Sequence, residues 1–323
     1  DRGWLERAYT PADFSADDNV GVKLGHAPTH LVDVDCDCPE AVHAARQLLP
    51  HTRTHGRAGR PWSHYWFCCP GLAPQTFQDV DGTMIVEIRS TGQQTLVPPS
   101  THPSGEPLRW ESEVAPLVMD GTALVAAVQW VAIAALFARH WPSGGGRHAA
   151  AGHVGGALAR LGLEAAIIER IVRSAAQSAQ DDEVEDRARF ARESAERQAR
   201  GEKTTGVPRL REAFAQGDAM VARLLAWMGK TESNEIASLN DLHFVAPLGR
   251  QMVVGTETPD GTDFQTFEEF EKRYYNRFVG KRKLGRVWLE APERRTYERV
   301  VFAPPAAKIA VRDGDYNLWR GFA

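Results

Sequence analysis

Asp33 and Asp35 stand two apart in "HLVDVDCDCPE" (His30–Glu40), behind the apolar Leu31, Val32 and Val34. In an extended strand, alternation puts both carboxylates on one face, about 6.6 Å apart along it. Like charges there repel unless a cation sits between them. Hard oxygen donors at this spacing suit magnesium or manganese. A third acid in apolar surroundings, Glu87, follows Val86 and precedes Ile88 in "MIVEIRS". Three acids from two strands can hold two metal ions, the arrangement that activates an attacking oxygen and stabilises a leaving one in phosphoryl transfer. The plain alternative is a strand end whose acids meet water. Asp37, just ahead of the next helix, is expected to cap it.

Between these acids, "THGRAGRPWSHYWF" (Thr54–Phe67) sets Arg57, Arg60 and His64 among glycines, ahead of an aromatic strand. Guanidinium groups and backbone N–H groups of glycine turns suit a triphosphate. Arg89, beside Glu87, can join them. "LVPPSTHPSGE" (Leu96–Glu106) adds Ser100, Thr101 and His102 in a proline-stiffened turn with polar tips open to anions.

These residues need a scaffold, and the first 115 residues read as α/β. Short β-rich runs at 19–25, 29–35, 63–69, 83–89 and 94–100 are bounded by Gly, Pro or Asp, with a helix predicted over 39–50. From about 116 to 230, apolar residues recur every three or four positions, predicting helices over 121–141, 146–162, 164–180, 181–201 and 209–229. Residues 231–323 mix strand and helix signals and form a third, smaller α/β segment. The expected fold class is therefore α+β, in three parts: 1–115, 116–230 and 231–323.

The chain has 323 residues, 43% hydrophobic and 25% charged, as expected of a globular protein with a real core. A net charge of −4 gives no global basic field, so nucleic acid would need a local patch. The longest apolar run, Ala123–Ala138, contains Gln129 and is shorter than a bilayer requires, so no membrane role is expected. Cys36, Cys38, Cys68 and Cys69 are expected to be reduced thiols at strand ends rather than a zinc site, in keeping with a cytoplasmic protein.

Elsewhere, Arg147 and His148 open a helix after three glycines and either meet a nucleic-acid phosphate or pair with neighbouring acids. Asp181, Asp182, Glu183, Glu185 and Asp186 form an acidic helix start that suits the helix dipole. Trp130, Trp141 and Trp227 are expected in the core. Lys272, Arg273, Arg277, Lys281, Arg282 and Lys283, interleaved with Tyr274, Tyr275 and Phe278, form either a grip for single-stranded template or an ordinary solvated face. "MGKT" (Met228–Thr231) lacks the first glycine of a P-loop.

The order "NVGVKLG…HLVDVDCDCPE…THGRAGRPWSHYWF…VEIRSTGQQTLVPPSTHPSGEPLRW" resembles the primase-polymerase (prim-pol) domain of the archaeo-eukaryotic primase superfamily, in the branch found in phages, plasmids and mobile elements. The resemblance implies an RRM-like sheet with extra strands and a DNA primase-polymerase activity. It assigns Asp33, Asp35 and Glu87 to catalysis and to two Mg2+ or Mn2+ ions. It assigns Arg60, Ser63, His64, Arg89, Ser100 and His102 to the nucleotide. The family's second motif is Ser-x-His, whereas here Trp62 stands two before His64 and the serine is adjacent. Implied partners are a single-stranded DNA template, a primer strand and NTP or dNTP. The helical part resembles the domain that follows the catalytic domain in primase-helicases. Residues 231–323 resemble the segment before a superfamily 3 helicase, implying a parent chain that continues into an ATPase. A metal-dependent nuclease, or a non-catalytic replication-initiation or helicase-docking module, are the alternatives.

Overall fold

The structure, a computed structural model, describes residues 3–202, 207–229, 236, 239–258, 261–275, 277–279, 282–304 and 310–319. The fold is mixed α and β, in two compact units, Asp1–Met228 and Gly229–Ala323.

The first unit is built on a sheet of β2 (Leu31–Cys36), β3 (Arg53–Arg57), β4 (Arg60–Cys68), β5 (Gln75–Gln78), β6 (Met84–Arg89) and β8 (Arg109–Ser112), after the short β1 (Val20–Lys23). The strand order is β5-β6-β2-β4-β3-β8, and β9 (Leu117–Val118) pairs in parallel with β4. The path strands are antiparallel throughout. β1 and β7 (Gln94–Val97) form a separate two-stranded ribbon. Every strand predicted in this region is present. β3, β5 and β8 escape a periodicity reading because they are short and polar.

Alternation along β2 sorts its side chains onto two faces. Val32, Val34 and Cys36 turn into the core with Tyr65 and Phe67 of β4 and with Val86 and Ile88 of β6. The same core takes α1 (Pro39–Leu48) through Ala44 and Leu48, and α2 (Gly121–Arg139) through Val128, Val131 and Phe137. It runs on without a break into α3 (Arg147–Arg160), α4 (Ala165–Ser178), α5 (Val184–Ala199), α6 (Val207–Ala213) and α7 (Gly217–Trp227), through Val154, Ile171, Ala191, Leu210 and Leu224. Sheet and helices thus share one hydrophobic interior. The opposite face of the sheet carries Asp33 and Asp35. It is roofed in part by the ribbon, whose Val20, Val22 and Val97 pack on Trp66 and Trp110.

α2 reaches 19 residues and is long and apolar enough to cross a membrane by length and composition. In this unit α2 is a core helix, with Leu124, Val128, Val131, Leu136 and Phe137 wholly buried. The helix expected over 209–229 is two helices. Gly217 starts the second where the chain crosses itself: a Cβ there would lie 2.0 Å from the Arg211 carbonyl oxygen. Lys230 and Thr231 of "MGKT" lie outside the described residues.

The second unit is a meander of β10 (His243–Leu248), β11 (Gln251–Thr258) and β12 (Gly261–Gln265), with α8 (Phe267–Arg273) and α9 (Leu284–Glu290). A reciprocal capping box between Thr266 and Glu269 starts α8. Phe270, Trp288, Val245 and Val254 form its core. The His243 imidazole is buried in it, bonded to the hydroxyls of Thr256 (3.0 Å) and Tyr274 (2.7 Å).

Candidate active site

β2 delivers the acids and its two neighbours supply their partners. Register pairs Asp35 with Glu87 of β6 on one side and with His64 of β4 on the other. Asp33 lies opposite Arg89 and Trp66. Directly paired residues share a face of a sheet, so Asp33, Asp35, His64, Glu87 and Arg89 all stand on the face away from the helices. A one-residue slip of either neighbour would turn its polar groups into the core.

The acids do not meet as the spacing within β2 suggests. Carboxylate oxygens of Asp35, Asp37 and Glu87 all lie within 4.8 Å of one another. Asp37 is therefore at this cluster and not at the helix. α1 has Cys38 as its N-cap residue, with no side-chain cap, and the Asp37 carboxylate faces Arg60 at 3.9 Å. Asp33 sits deeper, at 0% exposure, its Oδ2 accepting from His64 Nδ1 (3.0 Å) and from the Thr95 hydroxyl (2.7 Å). Arg89 bridges the cluster, with Nη2 2.7 Å from Asp35 and Nε bonded to Glu87.

The electrostatics follow from this crowding. Burial, aided by the Asp33 and Asp37 charges, pushes the Asp35 carboxyl up to about 7. Burial and Glu87 raise Asp37 as well. Burial would also raise Asp33, but His64 and Thr95 overrule it and hold it below the usual carboxylate range. Burial would depress His64, and the Asp33 and Asp35 charges lift it instead. Three crowded oxygen donors with too little neutralising charge fit a hard divalent cation such as Mg2+ or Mn2+.

A cleft of about 330 Å3 opens in front of the cluster. Arg57, Arg60, Ser63, His64, Arg89 and His102 line it together with Asp35 and Asp37. Of the residues expected at a nucleotide, only Ser100 is elsewhere. It is buried, and its hydroxyl donates to the Val20 carbonyl (3.2 Å) and accepts from the Val20 N–H (2.7 Å), pinning β1. The Ser63 hydroxyl is buried with no partner among the described residues. His102 Nδ1 accepts the Ser104 backbone N–H at 3.0 Å. Glu106, which sequence reasoning overlooked, links the two loops of the cleft: it takes Arg57 Nε at 3.1 Å and the Ser104 hydroxyl at 3.0 Å. His55 and Thr95 were also overlooked, because only cross-strand pairing brings them to the acids.

The basic loop depends on Gly56. A register shift lies between His55 and Arg57, and a Cβ on Gly56 would come 2.6 Å from the Arg60 carbonyl oxygen and 2.7 Å from the Trp62 amide. Gly56→Ala forces backbone apart where Arg57 and Arg60 turn into the cleft. The expected cost is about 1–3 kcal/mol of stability, read as a lower Tm, together with weaker nucleotide binding. An unchanged Tm would show that the bulge absorbs the methyl.

The other singled-out residues are not among those that line this cleft. Arg147 donates to the Pro142 carbonyl (3.0 Å) and faces Asp181 and Asp182, and His148 pairs with Asp186, so both are engaged by neighbouring acids. Trp130, Trp141 and Trp227 pack on the core. All four cysteines are free, and Cys36, Cys38 and Cys69 are buried. In the second unit Tyr275 and Phe278 are exposed and the Lys283 ammonium lies 3.6 Å from the Tyr275 ring centroid. Lys281 of that group lies outside the described residues.

Comparison with known proteins gives one finding. Residues 2–120 match the family model of the N-terminal domain of bifunctional DNA primase/polymerases (Prim-Pol), a stretch that contains every residue of the cleft. No curated protein and no solved structure matches the chain. Residues 2–120 are thus similar to a Prim-Pol domain, which supports a function of the DNA primase/polymerase type.

Proposed function

We propose that the cleft catalyses template-directed nucleotidyl transfer, with Asp35, Asp37 and Glu87 as the metal-holding acids. Arg57, Arg60, Arg89 and His64 receive the triphosphate. One observation carries the reading: Asp35 and Asp37, with Glu87 grouped beside them, and five cationic or imidazole side chains, Arg57, Arg60, His64, Arg89 and His102, come together at a single cleft. A nuclease needs the acids but has no use for a basic wall shaped to a polyphosphate.

Divalent ions held by the three acids would lower the pKa of an attacking hydroxyl and neutralise charge on departing pyrophosphate. The chain's own groups do the rest. Arg57 and Arg60 stand on the β3–β4 hairpin, and Glu106 holds the first of them in place. They neutralise the triphosphate and orient its α-phosphate towards a primer 3′-hydroxyl. Arg89 presently balances Asp35 and Glu87. With that charge balanced by bound cations, the Arg89 guanidinium would be free to meet the phosphates. His64 offers one ring nitrogen to the same group. The primer strand and single-stranded template are the remaining substrates. In this reading the parent protein acts in replication of a phage, plasmid or other mobile element, a context that the resemblance of residues 231–323 to a segment preceding superfamily 3 helicases supports.

The test is extension of a labelled primer on single-stranded template with Mg2+ or Mn2+, supplied with ATP or dATP in parallel. Stepwise lengthening is expected. Shortening of the labelled strand with metal and no nucleotide would identify a nuclease, and metal-independent inertness a docking module.

A further inference from the structure

A second hollow, of about 670 Å3, opens on the outer face of the β1–β7 ribbon. Val20, Val22 and Val97 turn the inner face onto Trp66 and Trp110, so alternation leaves Gly21 and Lys23 outside, with Gln94 opposite Lys23. Trp4, Arg7, Tyr9, Asp13, Phe14 and Asp18 line the far wall. The Lys23 ammonium ties that wall to the ribbon by donating to the carbonyls of Leu5 (2.8 Å) and Arg7 (2.5 Å). The hollow is aromatic and cationic. Trp4 and Tyr9 are half-buried, Phe14 is exposed, and Arg7 and Lys23 lie 4.8 and 5.6 Å from the centre of the Tyr9 ring. Arg7 is paired with Asp13 (2.8 Å). Neutral carbonyls leave the Lys23 charge uncancelled, and its third N–H remains for an anion. The two acids of the wall are taken up by their own turns: Asp13 accepts the Thr10 N–H and hydroxyl, and Asp18 those of Ser15.

Two links join this hollow to the cleft. Gln94 lines both. Asn19, at the rim of the hollow, holds Thr101, the neighbour of the cleft residue His102: its side-chain amide donates to the Thr101 carbonyl (2.9 Å) and its Oδ1 accepts the Thr101 N–H (2.8 Å). Ahead of the nucleotide being added a template is unpaired, and its bases expose faces that a duplex covers. Aromatic rings and cations in one groove suit such bases whatever their sequence. We propose that this hollow holds the unpaired template strand beside the active site, with bases stacked on Trp4 and Phe14 and a backbone phosphate at Lys23. This rests on the nucleotidyl-transfer reading above and gives its template a place.

Trp4→Ala, Phe14→Ala and Gly21→Leu in the full chain test it. A Cβ on Gly21 would meet only the far end of the Gln94 side chain, with Oε1 at 2.9 Å, so a leucine is accommodated and fills the hollow without removing a ring. Three readouts are taken: Kd for a labelled oligo(dT) by fluorescence anisotropy without nucleotide, Kd for dATP with Mn2+ and no DNA by calorimetry, and Tm. Each variant is expected to weaken oligo(dT) binding by about tenfold or more, the loss that removal of one stacked base brings. Affinity for dATP and Tm stay at wild-type values, and Trp4→Phe and Phe14→Tyr keep oligo(dT) affinity because they keep a ring. If either alanine variant lowers Tm, Gly21→Leu decides, since it deletes no contact. Wild-type oligo(dT) affinity in Gly21→Leu and in both alanine variants overturns the proposal. Lost dATP affinity with oligo(dT) affinity intact also overturns it, by making the hollow the seat of the incoming base. A wild-type protein that binds oligo(dT) through these residues yet lengthens no primer keeps the single-strand site and sinks the nucleotidyl-transfer reading instead.

Discussion

Asp35→Asn is expected to lower primer extension by about a thousandfold or more, equivalent to roughly 4 kcal/mol of transition-state stabilisation, with far-UV circular dichroism unchanged. Asp35 is the central residue of the site. It is paired with Glu87 and His64 across the sheet, bonded to Arg89 and grouped with Asp37. The same substitution carries a pH signature. With its carboxyl pushed up to about 7, the folded chain without metal holds a proton that the unfolded chain has released above pH 4. The unfolded state then binds fewer protons, so stability falls as pH rises from about 4 through 7. Asn cannot titrate, so the Tm of Asp35→Asn is expected to vary less across that window, and Mg2+ or Mn2+ is expected to restore wild-type Tm at pH 8. Wild-type Tm that stays level from pH 5 to pH 8 without metal would show that Arg89 already balances the cluster. Extension by Asp35→Asn within tenfold of wild type would remove Asp35 from the chemistry.

A fragment ending at residue 120 is expected to aggregate or remain unfolded, whereas a fragment ending at 228 folds cooperatively. The family match stops at 120, one residue before α2 begins. Yet α2 closes the interior that β2, β4, β6 and α1 open. Leu124, Val128, Val131, Leu136 and Phe137 are wholly buried in a cluster that also holds Val34, Phe67 and Val86. Full burial of one such side chain contributes about 1.5–3 kcal/mol, and a whole domain has only about 5–15 kcal/mol in hand. Removing α2 strips several of these contacts at once. It also removes Arg139 and His140, which bond the buried Asp79 beside β5. The check is size-exclusion chromatography and thermal melting of both fragments. A monomeric 1–120 fragment melting within a few degrees of 1–228 would show that the sheet and α1 suffice by themselves.

The sequence alone determined β1, β2, β4, β6 and β7 of the first unit, the helical texture after residue 116 and most of the chemical groups near the site. Asp35, Glu87, Arg57, Arg60, His64, Arg89 and His102 could all be named from type and spacing, because period-2 alternation and glycine-rich turns are local properties. Local patterning could also say that Asp33 and Asp35 share a face. It could not say which of them meets Glu87. That depends on the β2–β6 register, set by how the inner faces of two distant segments pack, and it brings Asp37 into the acid cluster while leaving Asp33 behind it. Ser100 illustrates the same limit: its motif position is apt for an anion, but its hydroxyl is taken by the β1 backbone. His55 and Thr95 were invisible for a related reason. A buried ring stack and a hydroxyl from a separate ribbon are pairings across 9 and 62 residues of chain, and only tertiary packing selects such pairs. Residue chemistry is written locally, whereas the partner of each group is chosen by long-range register and burial.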